Sequence, residues 1–234
     1  MNEARRHPVF GYGSNNIIQL CERVGCKAIP SMQAVLPHYE RIFAGFSKKW
    51  GGAVASVQPQ PNKICRGTLA WLTMAEICKL DRHEGCNSRM HDCDDEEKNR
   101  YRRVKVPLVV WGCSGNSANC VAENGAISPK QADLNTAMIL CGEEHKGIST
   151  EFLLLGTIYD LKNGASQETE PLVLSSWVYI QNGAGGPKHA IGKPSGAYVS
   201  AIVKNLELHW KTDTVDELQG LQDTADDWSE ECVR

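Results

Sequence analysis

The chain has no long apolar run. None approaches the about 20 residues that a helix needs to cross a bilayer, and the opening MNEARRHPVF lacks the apolar core of a secretory signal. A cytoplasmic protein with no membrane partner is expected. A surplus of either charge is missing too: 25 basic residues stand against 28 acidic ones, a formal net charge of −3. Nothing in that balance draws the chain to nucleic acid or to an anionic surface. The one basic stretch, NRYRRVK, follows the acidic DCDDEE and reads as a solvated strand edge. Ten cysteines are present but irregularly spaced, with no Cys-x-x-Cys pair, so free thiols are expected rather than a disulfide framework. His83, Cys86, His91 and Cys93 lie close together, yet their spacing fits no standard zinc module and no metal is expected.

Several catalytic patterns are also lacking. GYGSN puts serine one place too late for a G-x-S-x-G elbow, and in WGCSG no residue separates serine from the closing glycine, which argues against a serine hydrolase. GAGGPK lacks the last glycine of a dinucleotide fingerprint, and IGKPS lacks the upstream glycine and the Lys-Ser contact of a phosphate loop. With neither H-E-x-x-H nor an EF-hand loop, chemistry is left to carboxylates and backbone dipoles. No internal repeat or low-complexity tract marks a second domain.

What remains is a chain of 234 residues, 41% hydrophobic and 23% charged, enough for one sizeable core. A single domain over 8–212 is expected, with a surface insertion rich in glycine, asparagine and serine at about 112–170 and an acidic C-terminal tail over 213–234. VFGYGSNNIIQL reads as a strand over 8–13, a glycine-flanked turn, and a helix with Ile17, Leu20, Cys21 and Val24 on one face and Gly25 as its stop. RIFAGFS, GGAVASVQPQP, closed by its prolines, and ICRGTLAWL read as three more strands. TMAEICKLDRHEG begins with a capping box, Thr73 and Glu76, and ends at Gly85. In that helix Ile77, Leu80 and Glu84 share a face, which puts a carboxylate on the apolar stripe. Strands follow in YRRVKVPLVVW, EFLLLGTIYDL and PLVLSSWVYI, with a short helix in PKQADLNTAMIL. The last helix is AYVSAIVKNLELHW, with Ile202, Leu206 and Trp210 suited to packing.

Two features point to chemistry, each beside a plainer reading. Successive N–H groups of Gly13, Ser14 and Asn15 at a helix start suit a carboxylate or a developing oxyanion; an ordinary strand-to-helix turn capped by Ser14 is the alternative. Glu84 suits a general acid/base, because a carboxylate drawn out of water accepts a proton more readily; a helix-end salt bridge is the alternative.

FGYGSN at 10–15, WGGAVASVQPQP at 50–61, RGTLAWL at 66–72, LDRHEG at 80–85, YRRVKV at 101–106 and KPSGAY at 193–198 together resemble the γ-glutamylcyclotransferase family, in order and spacing. The resemblance covers most of residues 8–107 and 172–210. It implies an α+β fold on a small mixed β-barrel with flanking helices and a site at one mouth. It further implies cofactor-independent conversion of a small-molecule γ-glutamyl substrate into 5-oxoproline and a free amine or amino acid. By position, Glu84 matches the family's general acid/base, and Tyr12, Gly13, Ser14 and Asn15 its substrate-cradling loop. Tyr101 and Tyr198 resemble the two tyrosines beside the substrate; core tyrosines with satisfied hydroxyls are the alternative. The asparagine of YGSN points away from the glutathione-specific relatives, whose motif usually ends in leucine. A glutathione-specific enzyme, or a non-catalytic binding module on the same fold, stays open, as does a homodimer.

Overall fold

A computed structural model of the chain describes residues 5–86, 100–110, 172–182 and 191–210, with the backbone alone at 61–62. The expected insertion at about 112–170, with its helix in PKQADLNTAMIL and its strand in EFLLLGTIYDL, lies outside the described residues. So do the acidic tail over 213–234, His91 and Cys93.

The chain runs β1 (Arg6–Gly11), α1 (Ile17–Val24), β2 (Ser31–Ser47), β3 (Gly52–Thr73), α2 (Met74–Glu84), β4 (Tyr101–Val110), β5 (Leu172–Gln181) and α3 (Gly196–Glu207). The strands close into a barrel in the order β1-β3-β2-β4-β5. Four of the pairings are antiparallel, and β1 closes the ring on β5 in parallel through Val9–Trp177 and Phe10–Val178. The architecture is the expected α+β one, a mixed five-stranded barrel with three helices.

Strand alternation divides the apolar residues between two layers. Phe10, Leu69, Trp71 and Val178 belong to the large core that also holds Ile202 and Leu206 of α3. Their neighbours Val9, Ala70, Leu72 and Tyr179 face the other way and are covered by Leu20 and Val24 of α1 and Ile77 and Leu80 of α2. The two helices stop where glycine adopts a left-handed backbone, at Gly25 (φ 72°) and Gly85 (φ 66°). The capping box is present: Glu76 N–H donates to Thr73 Oγ1 at 3.3 Å, and Thr73 N–H to Glu76 Oε2 at 2.7 Å.

Several boundaries differ from expectation: β2 begins at Ser31, well before RIFAGFS, and α3 ends at Glu207 rather than at Trp210. The first strand spans Arg6–Gly11 rather than 8–13, so the chain leaves the sheet earlier and Tyr12 to Asn16 form the turn. The prolines of QPQP do not end a strand; β3 continues through them. Pro59 lies opposite Tyr39, beside the register shift between Pro37 and Tyr39, where His38 has φ 58°. A proline is tolerated where the ladder is already interrupted. Among the described residues no helix is long and apolar enough to cross a membrane.

Candidate active site

Between the end of β1 and the start of α1, the turn at residues 12 to 15 has all of its carbonyls engaged. Tyr12 O accepts from Arg41 Nε at 3.0 Å, Gly13 O and Asn15 O accept from Asn205 Nδ2 at 3.1 and 3.2 Å, and Ser14 O accepts from Asn16 N–H at 2.9 Å. The N–H groups of Gly13, Ser14 and Asn15 have no backbone acceptor among the described residues. The helix cap is Asn16, whose Oδ1 accepts from Gln19 N–H at 2.8 Å, and not Ser14. The Ser14 hydroxyl lies beside Tyr198 instead. The result is a row of free donors at the positive end of a helix.

Glu84 ends α2 and reaches this turn. Its Oε1 accepts from Asn15 Nδ2 at 2.9 Å and from Arg23 Nη1 at 2.7 Å. A carboxylate at a helix C-terminus faces the negative end of the dipole, so these two donors offset an unfavourable position. The side chain is 13% exposed. The apolar stripe was therefore a correct guide to its direction but not to its surroundings: the acid is paired on Oε1, and Oε2 makes no hydrogen bond among the described residues.

Four tyrosines, Tyr12, Tyr101, Tyr179 and Tyr198, line the cavity wall. Tyr198 accepts from Ala55 N–H at 3.0 Å, with the Ser14 hydroxyl close enough to favour its ionised form. Burial nonetheless holds the Tyr198 pKa above the usual tyrosine value. Burial, with Tyr198 and Glu84 nearby, does the same for Tyr101. Tyr12 differs: its hydroxyl donates to the backbone carbonyl of Tyr179, anchoring the turn to β5, and burial keeps it protonated. A Cβ on residue 13 would lie 3.3 Å from the Tyr198 hydroxyl, so only glycine lets the turn and the tyrosine meet without displacement. The cavity is about 400 Å³, and Tyr12, Gly13, Ser14, Asn15, Glu84, Tyr101 and Tyr198 all line it. The seven residues that the sequence offered for catalysis and substrate binding line this one cavity.

No family model matches the chain, and no curated protein does. Solved structures do. A structure titled γ-glutamyl cyclotransferase superposes with a TM-score of 0.54 at 14% identity, over 93% of this chain and 86% of that one. The fold is γ-glutamylcyclotransferase-like. An uncharacterized human protein gives 0.54 at 15% identity, over 93% and 87%. YkqA from Bacillus subtilis gives 0.50 at 12% identity over 93% of this chain, which spans about half of YkqA (54%).

On this γ-glutamylcyclotransferase-like barrel, several residues near the cavity were not anticipated. Arg23, in the last turn of α1, has the sequence signature of a cation favoured by the helix dipole and nothing more. Asp81, 1% exposed, sits one turn before Glu84 and outside the cavity lining. It accepts from both Arg103 Nη1 (3.1 and 2.9 Å) and the Tyr179 hydroxyl (2.6 Å), joining α2 to β4 and β5 behind the site. Trp50, in the WGGAVASVQPQP block, packs its ring 5.1 Å from that of Tyr198. Of the histidine and cysteine group, His83 is exposed and Cys86 partly buried, and among the described residues no three potential ligands gather as a metal site.

Proposed function

We propose that the chain is a γ-glutamylcyclotransferase acting on a γ-glutamyl amino acid or amine, with Glu84 as general acid/base. The observation that carries the reading is the Asn15–Glu84 hydrogen bond, which joins the acid to the turn of free N–H donors across 69 residues of sequence. An anion seat and a proton carrier side by side are what an internal acyl transfer needs.

In this mechanism the glutamyl α-nitrogen attacks its own γ-carbonyl carbon. The new C–N bond closes a five-membered lactam, and the bond to the leaving nitrogen breaks. Over the whole reaction the α-ammonium gives up two protons and the leaving amine takes up two. Glu84, through the unoccupied Oε2, accepts from the one and returns to the other. The oxyanion of the tetrahedral intermediate is held by the N–H groups of Gly13, Ser14 and Asn15, with the Tyr198 proton as an additional donor. Arg23 and Asn15 keep the carboxylate in place while it cycles. Tyr101 and Trp50 bound the bent glutamyl chain, and holding it bent converts a floppy internal attack into an oriented one.

The test is a substrate panel. Purified protein is incubated separately with γ-glutamyl-alanine, a γ-glutamyl amine and glutathione, and 5-oxoproline is measured. Release from γ-glutamyl-alanine or the amine, with little from glutathione, is expected. Release from glutathione alone would reassign the substrate, and no release from any of the three would point to a binding module on the same fold.

A further inference from the structure

The carbonyl partners of the turn at residues 12 to 15 assign a role to a residue of the last helix. We infer that Asn205 of α3 is a positioning residue: by fixing the carbonyl of Gly13 it aims the Ser14 N–H, and by fixing that of Asn15 it anchors the turn to the start of α1, as part of a preformed seat for a negatively charged oxygen. The identity of that oxygen, the oxyanion of the cyclisation step, rests on the function proposed above; the seat itself does not.

In a trans peptide the C=O and the following N–H point in opposite directions. Asn205 Nδ2 binds Gly13 O at 3.1 Å and so directs the Ser14 N–H away from α3. Arg41 Nε, 3.0 Å from Tyr12 O, fixes the peptide that carries the Gly13 N–H. The second Asn205 contact, 3.2 Å to Asn15 O, fixes the end of the turn where Asn16 begins the helix cap. Both partners are carbonyl oxygens, so only the amide nitrogen of Asn205 can face them, and its orientation is fixed by chemistry.

The other half of the same side chain is informative. Asn205 is 1% exposed, and its Oδ1 has no hydrogen-bond partner among the described residues. A buried amide with an orphaned oxygen costs stability that leucine, of similar size, would not. Packing alone gives no reason for an asparagine on a helix otherwise contributing Val199, Ile202 and Leu206 to the core. Its two N–H groups account for it.

The experiment uses the full chain with Asn205→Leu, which removes the donors, and Asn205→Asp, which keeps the shape but replaces donors by oxygen. The 1H–15N spectrum reports folding and follows the Ser14 amide during titration with acetate, a carboxylate probe. In the wild type this resonance should shift saturably; in either folded variant the response should vanish or require about tenfold more acetate. In parallel, kcat for the best γ-glutamyl substrate should fall by at least about tenfold, with KM within about threefold, the pattern of a donor used only in the transition state. An unshifted Ser14 amide in the wild type, or equal shifts in wild type and variant, overturns the inference. A rise in KM with kcat unchanged overturns the oxyanion assignment and leaves Asn205 positioning a seat for a ground-state carboxylate. A wild type inactive on every γ-glutamyl compound overturns the cyclisation reading instead, and the acetate titration then decides on Asn205 alone.

Discussion

Tyr198 shows how much one side chain is asked to do. Its ring fills space between Phe43 and Trp50, and its oxygen accepts from a strand N–H. That oxygen also marks the closest approach to Gly13. Such a hydroxyl works as a donor only while protonated. Burial raises the pKa of Tyr12, Tyr101, Tyr179 and Tyr198 alike above the ordinary value of 10.0. The unfolded chain therefore ionises first, and stability contributed by these groups, fully present below about pH 10, declines as pH rises further. Thermal melts should move to lower temperature above about pH 10, with tyrosinate absorbance from these four appearing only as the protein unfolds. A folded protein whose tyrosines all titrate near 10 would contradict this. Glu84 and the glycine-flanked turn were legible in the sequence because their signals are local: a place on a helical stripe and a strand-to-helix transition. Arg23, Asp81 and Asn205 were not, because each acquires its role from a partner at least 22 residues away.

At the scale of elements, α2 must be held in register for Glu84 to meet the turn. Its apolar residues Ile77 and Leu80 supply burial but little directional precision, since hydrophobic contact is non-directional. The Asp81 carboxylate supplies direction by accepting two bonds from Arg103 on β4 and one from Tyr179 on β5. Asp81→Asn should remove the buried ion pair and leave Arg103, itself mostly buried, without its counter-charge. A loss of about 3–5 kcal/mol is expected by chemical denaturation, and a change below about 1 kcal/mol would show that the pair does not anchor the helix. The helix itself was legible, capping box and glycine stop included, because caps are written in adjacent residues. The run of β3 through Pro59 was not, because whether a proline ends a strand depends on what lies opposite it, and the break in β2 at His38 is visible only once the strands are paired.

At the scale of the whole molecule, the barrel makes neighbours of residues that the sequence scatters. The antiparallel pairing of β1 with β3 sets Thr73, at the start of α2, opposite Arg6, the helix returns to bring Glu84 to the turn at residues 12 to 15, and α3 supplies both Tyr198 and Asn205 to that turn. The fold class, a small mixed barrel, could be read ahead from spaced sequence blocks, whereas the pairing partners could not, because nothing local in β1 specifies β5 as its neighbour. The central claim is that the acid at the end of α2 carries the proton for an internal cyclisation. Glu84→Gln tests it most directly, since the amide preserves shape and can still meet Asn15 but cannot accept and return a proton. With γ-glutamyl-alanine as substrate, kcat for 5-oxoproline release should fall by about 10²–10⁴ while the melting temperature stays within a few degrees. Release at the wild-type rate from a folded Glu84→Gln protein would contradict the account.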